Sequence, residues 1–275
     1  MSTAACVSCR ASVEASRAPL ACPSSRRSAS RGCATRARAS QGRARDGVDA
    51  MSSLAARFAG AKAVLWDVDG TLADSTSLGF TSTNAVLVEA GLPPIDLAQY
   101  KRGTRYPTPE RMAWHAAGDP SDPVGKRLGA RFDEHYVRLV DTDTAGFYAG
   151  VRDVVEALHE RKNGAQAVLS NACGAYARRV VAANDAEKYF KTVLGADDVS
   201  DPKPSPSGLI AIARENGWDT KTCVYVGDSP SDGAAAKAAG MMALGCAWGA
   251  HEADDLDASH DLVVRTVSEL SQTLL

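Results

Sequence analysis

Four short apolar runs in this chain each lead into residues that carry chemistry, and this repeated ending constrains the fold more than any other feature. Ala63-Val64-Leu65-Trp66 runs into Asp67, Asp69, Gly70 and Thr71, and Ala167-Val168-Leu169 into Ser170 and Asn171. Thr192-Val193-Leu194 is followed by a loop holding Lys203, and Cys223-Val224-Tyr225-Val226 by Gly227, Asp228 and Asp232. Unbroken apolar runs of this length suit strands covered on both faces, as in the middle of a parallel sheet.

Helical patterns separate the runs. Val151, Val154, Val155 and Leu158 give 150–161 one apolar face; 174–183 follows, and Leu209, Ile210 and Ala213 do the same for a helix with Ser205 as N-cap and Pro206 at its first position. Ser231 to Ala239 is a further helix, Met241 to Ala247 a fifth strand, Asp261 to Arg265 a sixth, and Val267 to Leu275 a closing helix. Strands alternating with helices make right-handed βαβ units. The expected fold is α/β, a Rossmann-like parallel sheet sandwiched by helices. From Ser75 to about Ala149 the pattern changes to helices broken by Gly and Pro, near 80–90, after Pro109 and near 123–140. That stretch, 75–149, reads as an inserted helical cap domain placed to close over the first strand end. The core is then 51–74 with 150–275.

Charge is uneven along the chain. Residues 1–50 hold nine Arg, no Lys and three acids, a net of +6, so the rest of the chain carries −8 of the total −2. An acidic body argues against a nucleic-acid surface, which needs positive charge. No apolar stretch approaches the length that crosses a bilayer. The Ala-, Ser- and Arg-rich, acid-poor segment 1–50 has the composition of a transit peptide, plastid first and mitochondrion second; the alternative is a disordered tail or a start at Met51 in a cytoplasmic protein. Of seven cysteines, four lie in that segment, and three scattered thiols in the body are no disulfide framework.

Open α/β sheets bind ligands where strands end, because backbone amides and loops converge there. Gly70 permits a tight turn and close approach of a phosphate. Period-two alternation puts Asp67 and Asp69 on one side, one placed to attack and the other to handle a proton. The plain alternative is an acidic turn after a strand.

Taken in order, Asp67-x-Asp69-Gly70-Thr71-Leu72, Ser170-Asn171, Lys203-Pro204 and Gly227-Asp228-Ser229-x-x-Asp232 resemble the four motifs of the haloacid dehalogenase superfamily, in particular its Mg²⁺-dependent phosphatases. The cap resembles that of the phosphoglycolate phosphatase and β-phosphoglucomutase branch. The resemblance implies Asp67 as nucleophile, Asp69 as general acid and base, and Lys203 as the compensating cation. It implies Gly70, Thr71, Ser170 and Asn171 as phosphate contacts. Mg²⁺ would be held by the Asp67 carboxylate, the Asp69 carbonyl, Asp228 and Asp232, an all-oxygen set suited to a hard cation. Taken singly, Ser170 could be a helix cap, Lys203 a solvated loop charge and Asp232 a first-turn acid.

Weaker signals are read plainly. Lys101, Arg102, Arg105, Arg127, Arg131, His135 and Arg138 read as solvated cap charges, with a substrate carboxylate as the alternative partner. Trp114 and Tyr136 read as cap core, Trp248 as packing, and Cys173 carries no chemistry. The expected function is a Mg-dependent phosphatase working through an aspartyl-phosphate on a small phosphorylated metabolite, with 2-phosphoglycolate as one candidate. The alternatives are a phosphosugar mutase of the same fold and a non-catalytic interaction module.

Overall fold

The computed structural model describes residues 53–275. Six strands form one parallel sheet in the order β3-β2-β1-β4-β5-β6, with β1 Ala63–Trp66, β2 Gln166–Leu169, β3 Thr192–Leu194, β4 Cys223–Gly227, β5 Met242–Cys246 and β6 Leu262–Val264. The expected fold class is the one observed. β1 lies between β2 and β4, with Trp66 in register with Val168 on one side and Val226 on the other. The carboxyl ends of these three strands therefore stand side by side. The chain also changes direction across the sheet here, since β1 pairs β2 on one flank and β4 on the other, and such a switch point opens a crevice.

Both faces of the sheet are buried, and period two sorts the residues. Val64, Trp66, Val168, Val224 and Val226 join one apolar cluster; Ala63, Leu65, Ala167, Leu169 and Tyr225 join the other. Gln166 is a polar residue inside a buried strand, and both its polar atoms have a partner: it accepts from Trp66 Nε1 at 3.1 Å and donates to the Val155 carbonyl at 2.8 Å. Buried amides persist only with such partners.

A helix over 53–59 (α1) precedes β1. The helices between β1 and β2 are α2 Thr76–Glu89, α3 Leu97–Gly103, α4 Thr108–Ala117, α5 Val124–Arg138, α6 Thr142–Ala145 and α7 Val151–Arg161. The chain leaves the sheet region and returns side by side, through a bridge between Ala73 and Phe147 and a hydrogen bond from Tyr148 N to the Leu72 carbonyl at 2.9 Å. α5 buries Leu128, Phe132 and Tyr136, spaced four apart on one face. It packs closely on α4 because Gly125 leaves room: a Cβ there would stand 2.3 Å from the Pro109 carbonyl. No helix among the described residues is long and apolar enough to cross a membrane.

After β2 come α8 Gly174–Ala183, α9 Ser207–Glu215, α10 Pro230–Ala238, α11 Ala253–Leu256 and α12 Val267–Leu274. Three local readings need correction. α9 starts at Ser207, so Pro206 takes the cap position and Ser205 Oγ instead accepts from the Ser207 amide at 3.3 Å. α3 was not anticipated, although Asp96 and Gln99 close a capping box at its start. β1 ends at Trp66, so Asp67 and Asp69 lie in the loop beyond it and strand periodicity does not govern Asp69. The proposed transit peptide and its four cysteines lie outside the described residues. Cys223 and Cys246 are buried in β4 and β5, as small core residues.

Candidate active site

Asp67 is the first residue past β1, and its amide still donates to the Val226 carbonyl at 2.9 Å, so the strand ladder aims it. Lys203 Nζ lies 2.8 Å from Asp67 Oδ1 and 2.7 Å from Asp232 Oδ1. The same ammonium donates to Tyr225 OH at 2.8 Å and to the Leu169 carbonyl at 3.3 Å, and Tyr225 OH donates to that carbonyl at 2.7 Å. Lys203 is only 3% exposed, so it is a buried charge neutralised by two carboxylates, not a solvated loop lysine. Asn171 fixes its backbone: Nδ2 donates to the Lys203 carbonyl and Oδ1 accepts from the Lys203 amide, both at 2.9 Å.

Asp228 and Asp232 arrive from β4 and the first turn of α10. Asp232 Oδ2 accepts from the Ser229 amide and hydroxyl at 2.9 and 2.7 Å, closing a capping box, while its Oδ1 faces Lys203. It is thus both a first-turn acid and a member of the charged cluster. Asp228 Oδ2 accepts from the Ala250 amide at 2.6 Å. Gly70, at φ +76°, and Gly249 let the backbone close around Asp228: a Cβ would stand 2.1 and 2.2 Å from its Oδ2, respectively.

These charges are strongly coupled. Burial pushes the Asp67 carboxyl up to about 7 against the pull of Lys203, with Asp232 and Asp69 adding repulsion. Burial, then Asp232 and Asp67, push Asp228 well above the usual carboxylate range. Burial disfavours the Lys203 ammonium, but Asp232 and Asp67 together outweigh it and hold the group charged. Asp67, Asp228 and Asp232 each offer a carboxylate oxygen within 4.8 Å of the others. Buried carboxylates outnumber their one cation, and the donor set is oxygen alone, which fits a hard divalent ion such as Mg²⁺.

One cavity of about 120 Å³ gathers Asp67, Asp69, Gly70, Ser170, Asn171, Lys203 and Asp228. Ser170 Oγ accepts from the Ala172 amide at 3.0 Å, leaving its own proton to donate. Thr71 does not line the cavity: it is fully buried, with Oγ1 3.6 Å from Cys246 Sγ and its carbonyl accepting from Trp248 Nε1 at 3.2 Å. Its side chain therefore supports the loop from behind, and Trp248 is packing, as read from the sequence. The Asn171 side chain braces Lys203, and Asn171 also lines the cavity.

Sequence reasoning missed several lining residues. Tyr100, Thr108, Arg111 and Tyr136 reach the cavity from α3, α4 and α5, and Thr104 and Tyr106 from the turn between α3 and α4. Of the cap cations singled out earlier only Lys101 does; Arg131 pairs with Glu89 and Glu134, and His135 with Glu89. Tyr136, read as cap core, donates to Asp69 Oδ1 at 2.8 Å. Helical periodicity marked the buried face of α5 but could not say that one end of it meets a carboxylate.

This geometry agrees with the chain's relatives. A family model described as haloacid dehalogenase-like hydrolase matches residues 64–246, which contain all four motif regions. The chain belongs to the haloacid dehalogenase-like hydrolase family. A phosphoglycolate phosphatase of Xanthomonas campestris is 31% identical over 198 residues, covering 70% of this chain and 86% of that protein. One from Chromobacterium violaceum is 32% identical over 218 residues, covering 76% and 94%. Solved haloacid dehalogenase-like structures share the fold. A putative phosphoglycolate phosphatase of Lactobacillus delbrueckii superposes with a TM-score of 0.67 at 19% identity, over 78% of this chain and 99% of that one. A β-phosphoglucomutase of Clostridium difficile gives 0.63 at 16%, over 76% and 93%. The chain is an enzyme of this family, a phosphoric monoester hydrolase.

Proposed function

We propose that this phosphatase hydrolyses a small phosphorylated metabolite, with 2-phosphoglycolate the first candidate, in a Mg²⁺-dependent reaction through an aspartyl-phosphate. The observation that carries the reading is the buried Asp67 carboxylate, paired with Lys203 and grouped with Asp228 and Asp232 at adjacent strand ends. Asp67 attacks phosphorus, and the bond to the leaving oxygen breaks with its electron pair on that oxygen, which takes a proton from Asp69. Asp69 then takes a proton from a water that attacks the same phosphorus, breaking the bond to Asp67 and releasing inorganic phosphate. Lys203 offsets charge on the transferring oxygens, and the Ser170 hydroxyl and the amides of the Gly70 turn donate to them. Asp67, Asp228, Asp232 and the Asp69 carbonyl would hold Mg²⁺, which would supply Lewis-acid neutralisation of charge on the phosphoryl group.

Lys101 and Arg111 line the same cavity, and among the described residues neither forms an ion pair. A second anion on the substrate, such as the carboxylate of 2-phosphoglycolate, would engage them. The basic, acid-poor composition of 1–50 adds a plastid setting to this reading. A mutase is less favoured, because the relatives at about 30% identity carry phosphatase names. An interaction module has no use for a buried nucleophile paired with a lysine.

A panel of phosphorylated metabolites, assayed for phosphate release with Mg²⁺ and with chelator, tests the proposal. The expected result is Mg²⁺-dependent release, greatest with 2-phosphoglycolate. Conversion of β-glucose 1-phosphate to glucose 6-phosphate without release would make the protein a mutase, and no turnover of any ester would overturn the reading.

A further inference from the structure

One oxygen of Asp69 accepts three hydroxyl groups. Ser75 Oγ lies 2.5 Å from Oδ1, Tyr176 OH 2.6 Å and Tyr136 OH 2.8 Å. The three donors come from separate parts of the chain: Ser75 just before α2, Tyr136 from α5 and Tyr176 from α8, beside the sheet. The two rings stack, with centroids 3.8 Å apart and planes 12° apart, so each phenol holds the other at the carboxylate. Tyr136 is 4% exposed and Tyr176 fully buried. A phenol this close to a carboxylate oxygen donates its proton to the contact, so both tyrosines are donors to Oδ1.

A carboxylate oxygen already accepting three hydrogen bonds has no room for a proton of its own. A proton carried by Asp69 therefore sits on Oδ2, to which no described residue donates, in a residue that lines the cavity. We propose that Tyr136 and Tyr176 are positioning residues for the acid step: they hold Oδ1 as an acceptor and direct the exchangeable proton of Asp69 to Oδ2, toward the leaving oxygen. The proposal rests on the reading of Asp69 as general acid. Because Tyr136 arrives on α5 and Tyr176 on α8, the acid is fully set only where these two helices meet.

Tyr136→Phe, Tyr176→Phe and the double variant keep both rings and remove only the donors. Values of kcat/KM, which report the step expelling the leaving group, are compared for 2-phosphoglycolate and for 4-nitrophenyl phosphate, whose stable leaving group needs no proton. Thermal unfolding checks that each variant is folded, and either single variant suffices if the other is not. On the alkyl ester each variant should lose about 10- to 100-fold, a part of the roughly 10²- to 10⁴-fold that acid catalysis supplies, and on the aryl ester about threefold or less. Equal losses on the two esters, or no loss in folded variants, would overturn the positioning role and leave the phosphatase intact. If the wild-type protein hydrolyses neither ester, the phosphatase reading falls and the role of the pair with it.

Discussion

The floor of the cavity and its roof are built on opposite principles. On the floor, Asp67, Lys203, Asp228 and Asp232 are all buried, and each is fixed by short hydrogen bonds or ion pairs that lead back to strand ends. On the roof, Lys101 is exposed and Arg111 half-buried; among the described residues neither has an ionic partner, and Arg111 rests against the rings of Phe132 and Tyr100, 4.6 and 6.0 Å from their centroids. A pre-organised floor suits chemistry common to every phosphate ester, since fixed dipoles and charges need no rearrangement during reaction. A loosely held roof suits recognition of whatever is attached to that phosphate.

Substitutions should separate the two. Asp67→Asn should cause the largest loss, at least about 10³-fold in kcat, as expected when a nucleophile is removed. Its thermal unfolding should stay cooperative, and residual activity of more than a few per cent, measured in a steady-state assay, would take the nucleophile's role from Asp67. Lys203→Met comes next. It leaves Asp67 and Asp232 buried together without their cation, so denaturant unfolding should show a loss of about 3 kcal/mol, the scale for breaking one side of a buried ion pair. If stability is unchanged, the floor is less tightly coupled than its geometry implies.

Arg111→Ala should raise KM for an ester bearing a second anion about tenfold, which is about 1.4 kcal/mol of binding. For an ester without that anion the rise should be smaller. Equal changes for both would deny the roof its part in selection. The last test concerns the pH dependence of stability, at His115. Burial first, and Arg111 second, push its imidazole down to about 4. A histidine with a depressed folded value binds fewer protons than the unfolded chain between about pH 4 and 6.5, so stability falls as pH drops through that window. The melting temperature of His115→Gln should therefore decline less than the wild type's from pH 6.5 to 4; parallel curves would sink the assignment.

Much of this was legible without coordinates. Asp67 and Asp228 could be read because each directly follows a buried strand, where position along the chain translates into position in space. Lys203 was legible as a residue but not as a buried one: its partners Asp232, Tyr225 and Asn171 lie 29, 22 and 32 positions away. Thr71 was misjudged because the loop after Asp69 turns its side chain toward Cys246. Arg111 was passed over because its helix could be assigned without knowing which way each side of it faces.

What the chain alone determined was the succession of buried strands and the polar residues that end them, because those depend on composition and period over four or five neighbours. What only the tertiary structure decided was which helix-borne side chains meet them, Tyr136 and Arg111 at the cavity and Tyr176 behind Asp69. The rotation of a helix about its axis is set by the packing of its apolar face against distant elements, and no local pattern encodes what lies at the edge of that face.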